Sequence, residues 1–178
     1  MELMPADRVE ANTADRQLPA RSEAAQLFCN AMAKLVAGVC VVTTGDEEGI
    51  AGCTATAICS VSDTPPTLLV CINRLSDTRH TAVRSGSMCI NILSAYQQDI
   101  SELFSRRANA DKFSSVEWHR GTSGAPILDG VLMALDCEVS TVQDCNTHTL
   151  FFCRPLSIAS GDATEPLCYY GRAYQQLA

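Results

Sequence analysis

The sequence has few aromatic and few charged residues. Of its 178 residues, 6% are aromatic and 19% are charged, whereas 47% are hydrophobic. A disordered chain has a lower hydrophobic content, and no stretch approaches the roughly 20 uninterrupted apolar residues of a membrane helix. The composition therefore predicts a folded protein with no membrane partner, and the length favours a single domain.

Positive charge is also scarce. The 13 lysines and arginines are outnumbered by 20 acidic residues, which gives a net charge of −7. An acidic surface repels the phosphate backbone of nucleic acids, so nucleic acid is not expected as a partner. A small phosphorylated ligand remains possible, because a few arginines and backbone N–H groups bind phosphate locally.

Several common catalytic motifs are missing. The ten glycines never form G-x-G-x-x-G or a P-loop, and H-E-x-x-H does not occur, so a Rossmann dehydrogenase, an NTPase and a zincin are unsupported. The segment Gly121-Thr-Ser-Gly-Ala125 fails the G-x-S-x-G pattern at its last position. With only three histidines and no C-x-x-C pair, no metal site is predicted.

Cysteine, by contrast, is abundant, with ten residues. In a secreted chain such a number would indicate disulfides, but residues 1–20 are polar and contain no apolar signal core. Most of the cysteines lie among valine, isoleucine, leucine and alanine, where a free thiol packs as a small hydrophobic group. We therefore expect reduced thiols and a cytoplasmic protein.

The hydrophobic pattern predicts one long helix followed mainly by strands. Residues 1–21 lack periodicity and are expected to form a mobile N-terminal arm, with a single domain over residues 22–178. Apolar residues recur every four positions from Leu27, which predicts a helix ending near Gly38. At least six strands follow without regular strand–helix alternation. This pattern predicts a mainly antiparallel α+β fold, for which a Greek-key barrel is the natural closed form.

The segment Gly52-Cys-Thr-Ala-Thr-Ala-Ile-Cys-Ser60 combines small side chains with hydroxyls. Small residues allow a planar ligand to lie against the backbone, and the hydroxyls of Thr54, Thr56 and Ser60 can hydrogen-bond to its heteroatoms. The alternative is a strand that packs closely against a helix. Composition alone favours this alternative.

A second segment, Asn73-Arg-Leu-Ser-Asp-Thr-Arg-His80, is locally basic and rich in hydroxyls. It could bind a phosphate through Arg74 or Arg79 together with Ser76 and Thr78. The alternative is a solvent-exposed polar loop, and the residues alone do not decide between the two.

A third segment, Asn146-Thr-His148, precedes a predicted strand. His148 could contact a ligand or could be a turn residue hydrogen-bonded to the backbone. The residues alone favour the turn.

Together these segments resemble the flavin reductase family of split-barrel flavoproteins, most closely the reductase components of two-component flavin-dependent aromatic monooxygenases such as 4-hydroxyphenylacetate 3-monooxygenase. Residues 52–74 resemble the family pattern G-[MIF]-T-A-[ST]-A-x-[CT]-S-V-[ST]-x-x-P-P-x-[LV] and the strand end that follows it. Further similar segments are Cys89-Ile-Asn-Ile-Leu-Ser94, Lys112-Phe113, Gly124-Ala-Pro-Ile-Leu128 and Tyr169-Tyr-Gly-Arg172.

The resemblance implies a six-stranded Greek-key split barrel in a homodimer. It also implies an NAD(P)H-dependent flavin reductase that reduces FAD or FMN with NADH or NADPH and supplies reduced flavin to a separate monooxygenase. The alternative within this class is a split-barrel electron carrier or binding protein that holds FMN without nicotinamide turnover.

The resemblance further implies where the cofactors bind. The residues expected around the flavin ring and its side chain are Cys53, Thr54, Ala55, Thr56 and Ser60, and those expected towards the phosphate are Asn73, Arg74, Ser76, Arg79 and His80. The residues expected beside NADH are His148, which is the catalytic candidate, Tyr170, Gly171 and Arg172. Three departures from the family pattern are Asn146 in place of glycine, a loop from Asn73 to His80 that is one residue longer than in many relatives, and the order Gly171-Arg172 in place of Arg-Gly.

Overall fold

The computed structural model describes residues 22–106, 111–175 and 177. It divides the chain into two units, residues 1–32 and 33–178, and the arm expected over residues 1–21 lies outside the described residues. In the first unit, helix α1 (Glu23–Met32) follows Ser22, whose hydroxyl accepts a hydrogen bond from the Ala25 N–H. The helix ends earlier than the hydrophobic period predicts, and a short strand follows in the second unit.

The second unit consists mainly of strands. In chain order its elements are β1 (Ala37–Gly38), β2 (Cys40–Asp46), β3 (Gly49–Ala55), β4 (Ile58–Asp63), β5 (Pro66–Asn73), α2 (Asp77–Ser85), β6 (Ser87–Ile92), α3 (Gln98–Ser105), a 3₁₀ helix (Lys112–Ser115), β7 (Trp118–Arg120), β8 (Pro126–Leu128), β9 (Met133–Cys145), β10 (His148–Ser160), β11 (Cys168–Tyr170) and β12 (Ala173–Gln175). Each helix described here is too short to cross a bilayer.

Seven of the strands form the main sheet, in the order β3-β2-β6-β9-β10-β5-β4, and all the pairings are antiparallel. The predicted mainly antiparallel α+β fold is confirmed. The two edge strands, β3 and β4, are consecutive in the chain and are joined by Thr56 and Ala57 alone. Because so short a link spans roughly 10 Å at most, the sheet must curve until its two edges approach each other at this link.

The sequence pattern predicts a polar loop over residues 73–85 that could include a helical turn, and the structure has helix α2 over most of this segment. Ser76 caps its N-terminus by accepting a hydrogen bond from the Thr78 N–H at 3.2 Å. At the other end, Gly86 adopts a left-handed φ of 66° and donates its N–H to the Ala82 carbonyl. These two caps stabilise a helix whose mostly polar sequence shows little apolar periodicity.

Both faces of the central strands are buried. In β2, Val41 packs into a cluster with Leu93 and Phe104, whereas the neighbouring Val42 packs into a second cluster with Phe151. Among the described residues, none of the ten cysteines forms a disulfide. Five of them are buried as predicted, and burial raises the pKa of three of these thiols to about 12 (Cys40, Cys89 and Cys153).

Candidate functional site

A cavity of about 770 Å³ opens beside β3, a volume typical of small-molecule sites. Its walls come from β3 and the link to β4, the end of β5, the start of α2, the end of α3, residues 111–113 and His148. The cavity brings together seven of the residues predicted from the sequence, namely Cys53, Thr54, Ala55, Thr56, Asn73, Ser76 and His148.

Strand β3 packs against α3 as well as lining the cavity. A Cβ atom at Gly52 would lie 2.8 Å from a ring carbon of Phe104, so only glycine allows this approach. The Thr54 hydroxyl donates a hydrogen bond to the Ser101 carbonyl of α3 at 2.6 Å. The alternative in which β3 packs closely against a helix is therefore confirmed. The segment also lines the cavity, and its contact with a ligand stays a prediction.

The bond to Ser101 limits what Thr54 can do in the cavity. A hydroxyl has one proton and two lone pairs, and the proton of Thr54 is already directed at the Ser101 carbonyl. Towards a ligand the hydroxyl can therefore act only as an acceptor, for example from a ring N–H.

His148 and Asn73 are paired directly across strands β10 and β5 at the cavity edge. Nδ1 of His148 lies 2.9 Å from the Thr147 hydroxyl, and Asn73 Oδ1 accepts the Leu75 N–H at 2.9 Å. Asn146 has a φ of 51°, a left-handed conformation that asparagine tolerates well. His148 thus follows a turn, as the residues alone predict, and it also borders the cavity.

The two arginines of the predicted basic loop do not line the cavity. Both are paired with Asp144 of β9, at 3.2 Å from Arg74 and 3.4 Å from Arg79. Arg79 also donates from Nε to the Thr149 hydroxyl at 3.2 Å. The hydrogen bond from Thr149, together with the two guanidinium groups, lowers the pKa of Asp144. This arrangement ties the loop to the end of β9 and β10.

Two further predicted residues lie away from the cavity. Ser60 is exposed on β4, and His80 is exposed on α2. The alternation of β4 and the turn of α2 direct neither residue into the described cavity walls.

Lys112 also lines the cavity, a position that was not among the predicted site residues. Its Nζ donates to the carbonyls of Gly52 and Phe104 at 3.3 and 3.2 Å, and burial lowers its pKa. Burial raises the pKa of the neighbouring Cys53 thiol, and Thr78, Lys112 and Ser76 partly oppose this rise. One corner of the cavity therefore combines a cation with hydroxyl groups. The only sequence signal was the match of Lys112-Phe113 to the family pattern.

A second cavity, of about 390 Å³, adjoins the same strand end. It shares Thr54, Ala55 and Thr56 with the first cavity and is otherwise lined by Val39, Ser101, Ser105, Tyr169, Arg172 and Tyr174. Of the three C-terminal residues predicted beside NADH, Arg172 lines this cavity, whereas Tyr170 and Gly171 line neither. No group of metal-binding side chains occurs among the described residues.

The chain is similar to several known proteins. Residues 32–178 match the model of the flavin reductase like domain. The FMN reductase (NADH) RutF of Pseudomonas syringae pv. syringae (strain B728a) is 41% identical over 161 residues, which cover 90% of each chain.

Solved structures give the same relationship. The NADH:FAD oxidoreductase SgcE6 of Streptomyces globisporus C-1027, in complex with NAD and FAD fragments, superposes with a TM-score of 0.82 at 26% identity, covering 92% of this chain and 98% of that one. The styrene monooxygenase flavin reductase of Pseudomonas putida S12 superposes with a TM-score of 0.77 at 27% identity, covering 85% and 97%.

Proposed function

Because the chain belongs to the flavin reductase like domain family, we propose that it is an NADH-dependent flavin reductase that reduces FMN or FAD. The observation that carries this proposal is the 770 Å³ cavity, in which the small-residue strand, the start of α2 and His148 meet. Relatives named FMN reductase (NADH) favour NADH over NADPH as the donor and FMN as the flavin.

The residues of the cavity fit a flavin and a nicotinamide. Bound together, these molecules supply the whole redox step, in which a hydride leaves nicotinamide C4 and is accepted at flavin N5. The protein needs no nucleophile or metal for this step and instead must orient the rings and exclude water. The small side chains from Gly52 to Ala55 leave room for a flat ring, Thr54 accepts a hydrogen bond from it, and His148 closes the nicotinamide side.

The flavin phosphate is proposed to bind at Lys112 and the Ser76 hydroxyl. Lys112 supports this assignment because it lines the cavity and is hydrogen-bonded to two carbonyls rather than to a carboxylate. Arg74 and Arg79, the cations expected from the sequence, are paired with Asp144. Their role is proposed to be the anchoring of the loop rather than direct phosphate contact.

The six-stranded split barrel is proposed as the closed form of the main sheet. If β3 and β4 count as one strand bent at Thr56 and Ala57, the seven strands become six, and the bend is where the barrel splits. Support comes from the position of these two consecutive strands at opposite edges of the sheet.

We further propose that the protein is a cytoplasmic homodimer that passes reduced flavin to a separate monooxygenase. Four aliphatic side chains on strands of the main sheet are 42–59% exposed, namely Val61, Val142, Leu156 and Ile158, and a second copy could cover such a surface. Relatives such as the styrene monooxygenase flavin reductase support the monooxygenase partner. Sedimentation of the purified protein would test the dimer.

Steady-state oxidation of NADH tests the proposed activity. The purified protein should oxidise NADH when FMN or FAD is added and should release reduced flavin. A protein that stays yellow after purification and does not oxidise NADH would instead be a flavin carrier, and the proposal would be wrong.

A further inference from the structure

The turn between β9 and β10 leads into His148 and has a backbone that favours glycine. Its two central residues are Asn146 and Thr147, because Cys145 and His148 pair directly across it. Of the two, only Asn146 has a positive φ, at 51°, which is the pattern of a type II′ turn with glycine usual at this position. Asparagine adopts this conformation less readily than glycine. The position of the turn therefore depends more on contacts from outside it.

Arg74, at the end of β5, supplies such contacts. Its backbone N–H donates to the Thr147 carbonyl at 3.0 Å, and its Nη1 donates to the Asn146 carbonyl at 3.3 Å. Its Nη2 lies 3.2 Å from Oδ2 of Asp144. One guanidinium group therefore joins the turn to the strand that enters it.

Asp144 is itself held by the neighbouring strand and by α2. Its Oδ1 accepts a hydrogen bond from the Thr149 hydroxyl at 2.6 Å, and that hydroxyl accepts one from Nε of Arg79 at 3.2 Å. Nη2 of Arg79 lies 3.4 Å from the Asp144 carboxylate. The carboxylate therefore has a fixed position from which it orients the guanidinium of Arg74.

Asp144 acts from the opposite face of the sheet to His148. The pair Thr149 and Asp144 lies one residue along β10 and β9 from the pair His148 and Cys145. Successive residues of a strand point to opposite faces, so the Asp144 carboxylate and the His148 ring lie on opposite sides of the sheet. The link between them therefore passes through Arg74 and the turn.

The His148 ring is attached to the same turn. Its Nδ1 lies 2.9 Å from the hydroxyl of Thr147, whose carbonyl accepts the Arg74 N–H. The ring borders the first cavity. A displacement of the turn would therefore move the imidazole at the cavity edge.

We infer that Arg74, oriented by Asp144, is a positioning residue that holds His148 at the nicotinamide side of the cavity. This inference rests on the proposed function, in which His148 closes that side. Hydride transfer depends on the alignment of the two rings, so a small displacement of a group that closes the site lowers the rate.

Steady-state kinetics of Arg74→Ala, measured with saturating FMN, test the inference. We expect kcat/KM for NADH to fall roughly two- to tenfold, as for the loss of a hydrogen bond, while the affinities for FMN and riboflavin stay within about twofold of the wild type. Asp144→Asn should have a smaller effect in the same direction, because Arg74 keeps its contacts with the turn. Arg154→Ala, which removes a partly exposed arginine of β10 paired with Glu138, is the matched control and should change none of these values.

A double-mutant cycle shows whether the effect passes through His148. In a His148→Ala background, Arg74→Ala should cause no further fall in kcat/KM for NADH, because the positioned ring is absent. A purely structural role would lower kcat/KM by the same factor in both backgrounds, and that result would overturn the inference. So would an unchanged kcat/KM in Arg74→Ala, or a His148→Ala variant as active as the wild type. Weaker binding of FMN but not of riboflavin by Arg74→Ala would also overturn it, because Arg74 would then contact the phosphate.

The NMR signals of the three histidine rings give a readout that does not depend on turnover. The His148 signals are assigned by their loss in His148→Ala. Arg74→Ala should shift them and should leave those of His119, on β7, unchanged. Unchanged His148 signals would overturn the inference. If the wild type does not oxidise NADH, the proposed function fails, and these signals still decide whether Arg74 holds the ring.

Discussion

Two cation-bearing regions of the second unit differ in what faces the cation. Arg74 and Arg79 lie in a segment that looks basic in the sequence, but both point to Asp144, which is 65 residues beyond Arg79. Lys112 lies in a short 3₁₀ helix between acidic and aromatic neighbours, yet its Nζ contacts carbonyls at the cavity wall. A charged segment is therefore informative about a binding site only when the residues that fold against it are known.

Strand register explains the difference. Thr149 of β10 pairs with Asp144 on one side and with Ile72 on the other, which brings the carboxylate of Asp144 to the two arginines. The contact of Asp144 with the two arginines cannot be read from the sequence, because it depends on the register in which β5, β10 and β9 pair. The comparison leads to four predictions, ordered from the largest expected effect to the smallest.

The largest effect is expected where the cavity wall is most tightly packed. Gly52→Ala should reduce the free energy of unfolding by about 1–3 kcal/mol, as overpacked sites do, because its Cβ would contact the Phe104 ring at 2.8 Å. The matched control is Gly38→Ala, whose Cβ would meet no atom within 4 Å. Urea denaturation of both variants gives the comparison, and equal stability would show that β3 does not pack on α3 as described.

Thr54→Val should have a smaller effect. It keeps the side-chain shape but removes the hydrogen bond to the Ser101 carbonyl, which should cost about 0.5–1.5 kcal/mol of stability. Flavin affinity should also fall if the hydroxyl accepts a hydrogen bond from the flavin. Denaturation together with flavin titration separates the two roles, and a variant with unchanged stability and unchanged affinity would remove Thr54 from both.

Much of the fold was predictable, because local sequence patterns indicate where strands and turns form. The strands and the β2–β3 hairpin follow from β-branched runs and a polar turn, and the small-residue segment forms β3, which lines the cavity. The sequence pattern predicted α2 only as a polar loop that could include a helical turn, because the helix depends on the caps Ser76 and Gly86 rather than on apolar periodicity. The match of Lys112-Phe113 to the family pattern did not reveal the contacts of Lys112, and no pattern indicated the second cavity, because only the folded topology brings their residues together.

Arg79→Ala should change the affinities for FMN and for riboflavin to the same extent. Its partly exposed ion pair with Asp144 should contribute at most about 1 kcal/mol to stability, and its removal deletes no phosphate contact in this account. Arg154→Ala, which removes another partly exposed arginine of an ion pair, is the matched control. Titrations with FMN and riboflavin measure both affinities. A variant that loses affinity for FMN but not for riboflavin would show that Arg79 contacts the phosphate.

The smallest effect concerns acid stability at the far end of the β2–β3 hairpin. The hydrogen bond from Arg84 lowers the pKa of Asp46 to about 2. The carboxylate therefore stabilises the fold above its ordinary pKa of 3.8, and this contribution is lost as the pH falls from about 4 towards 2. Asp46→Asn should flatten the stability profile across this window without changing flavin binding at neutral pH. Thermal unfolding between pH 2 and 6 tests this, and a wild-type profile in the variant would contradict it.

The most direct test of the account compares the two cations at the same ligand. Calorimetric titration of Lys112→Met and Arg79→Ala with FMN and riboflavin isolates the phosphate contact, because the two flavins differ only by that group. We expect Lys112→Met to lower the affinity for FMN about tenfold or more and the affinity for riboflavin much less. Arg79→Ala should leave the ratio of the FMN and riboflavin affinities unchanged. If Lys112→Met left the ratio of FMN affinity to riboflavin affinity unchanged and Arg79→Ala lowered it, the proposed phosphate site would be wrong. The phosphate would then bind at the basic loop.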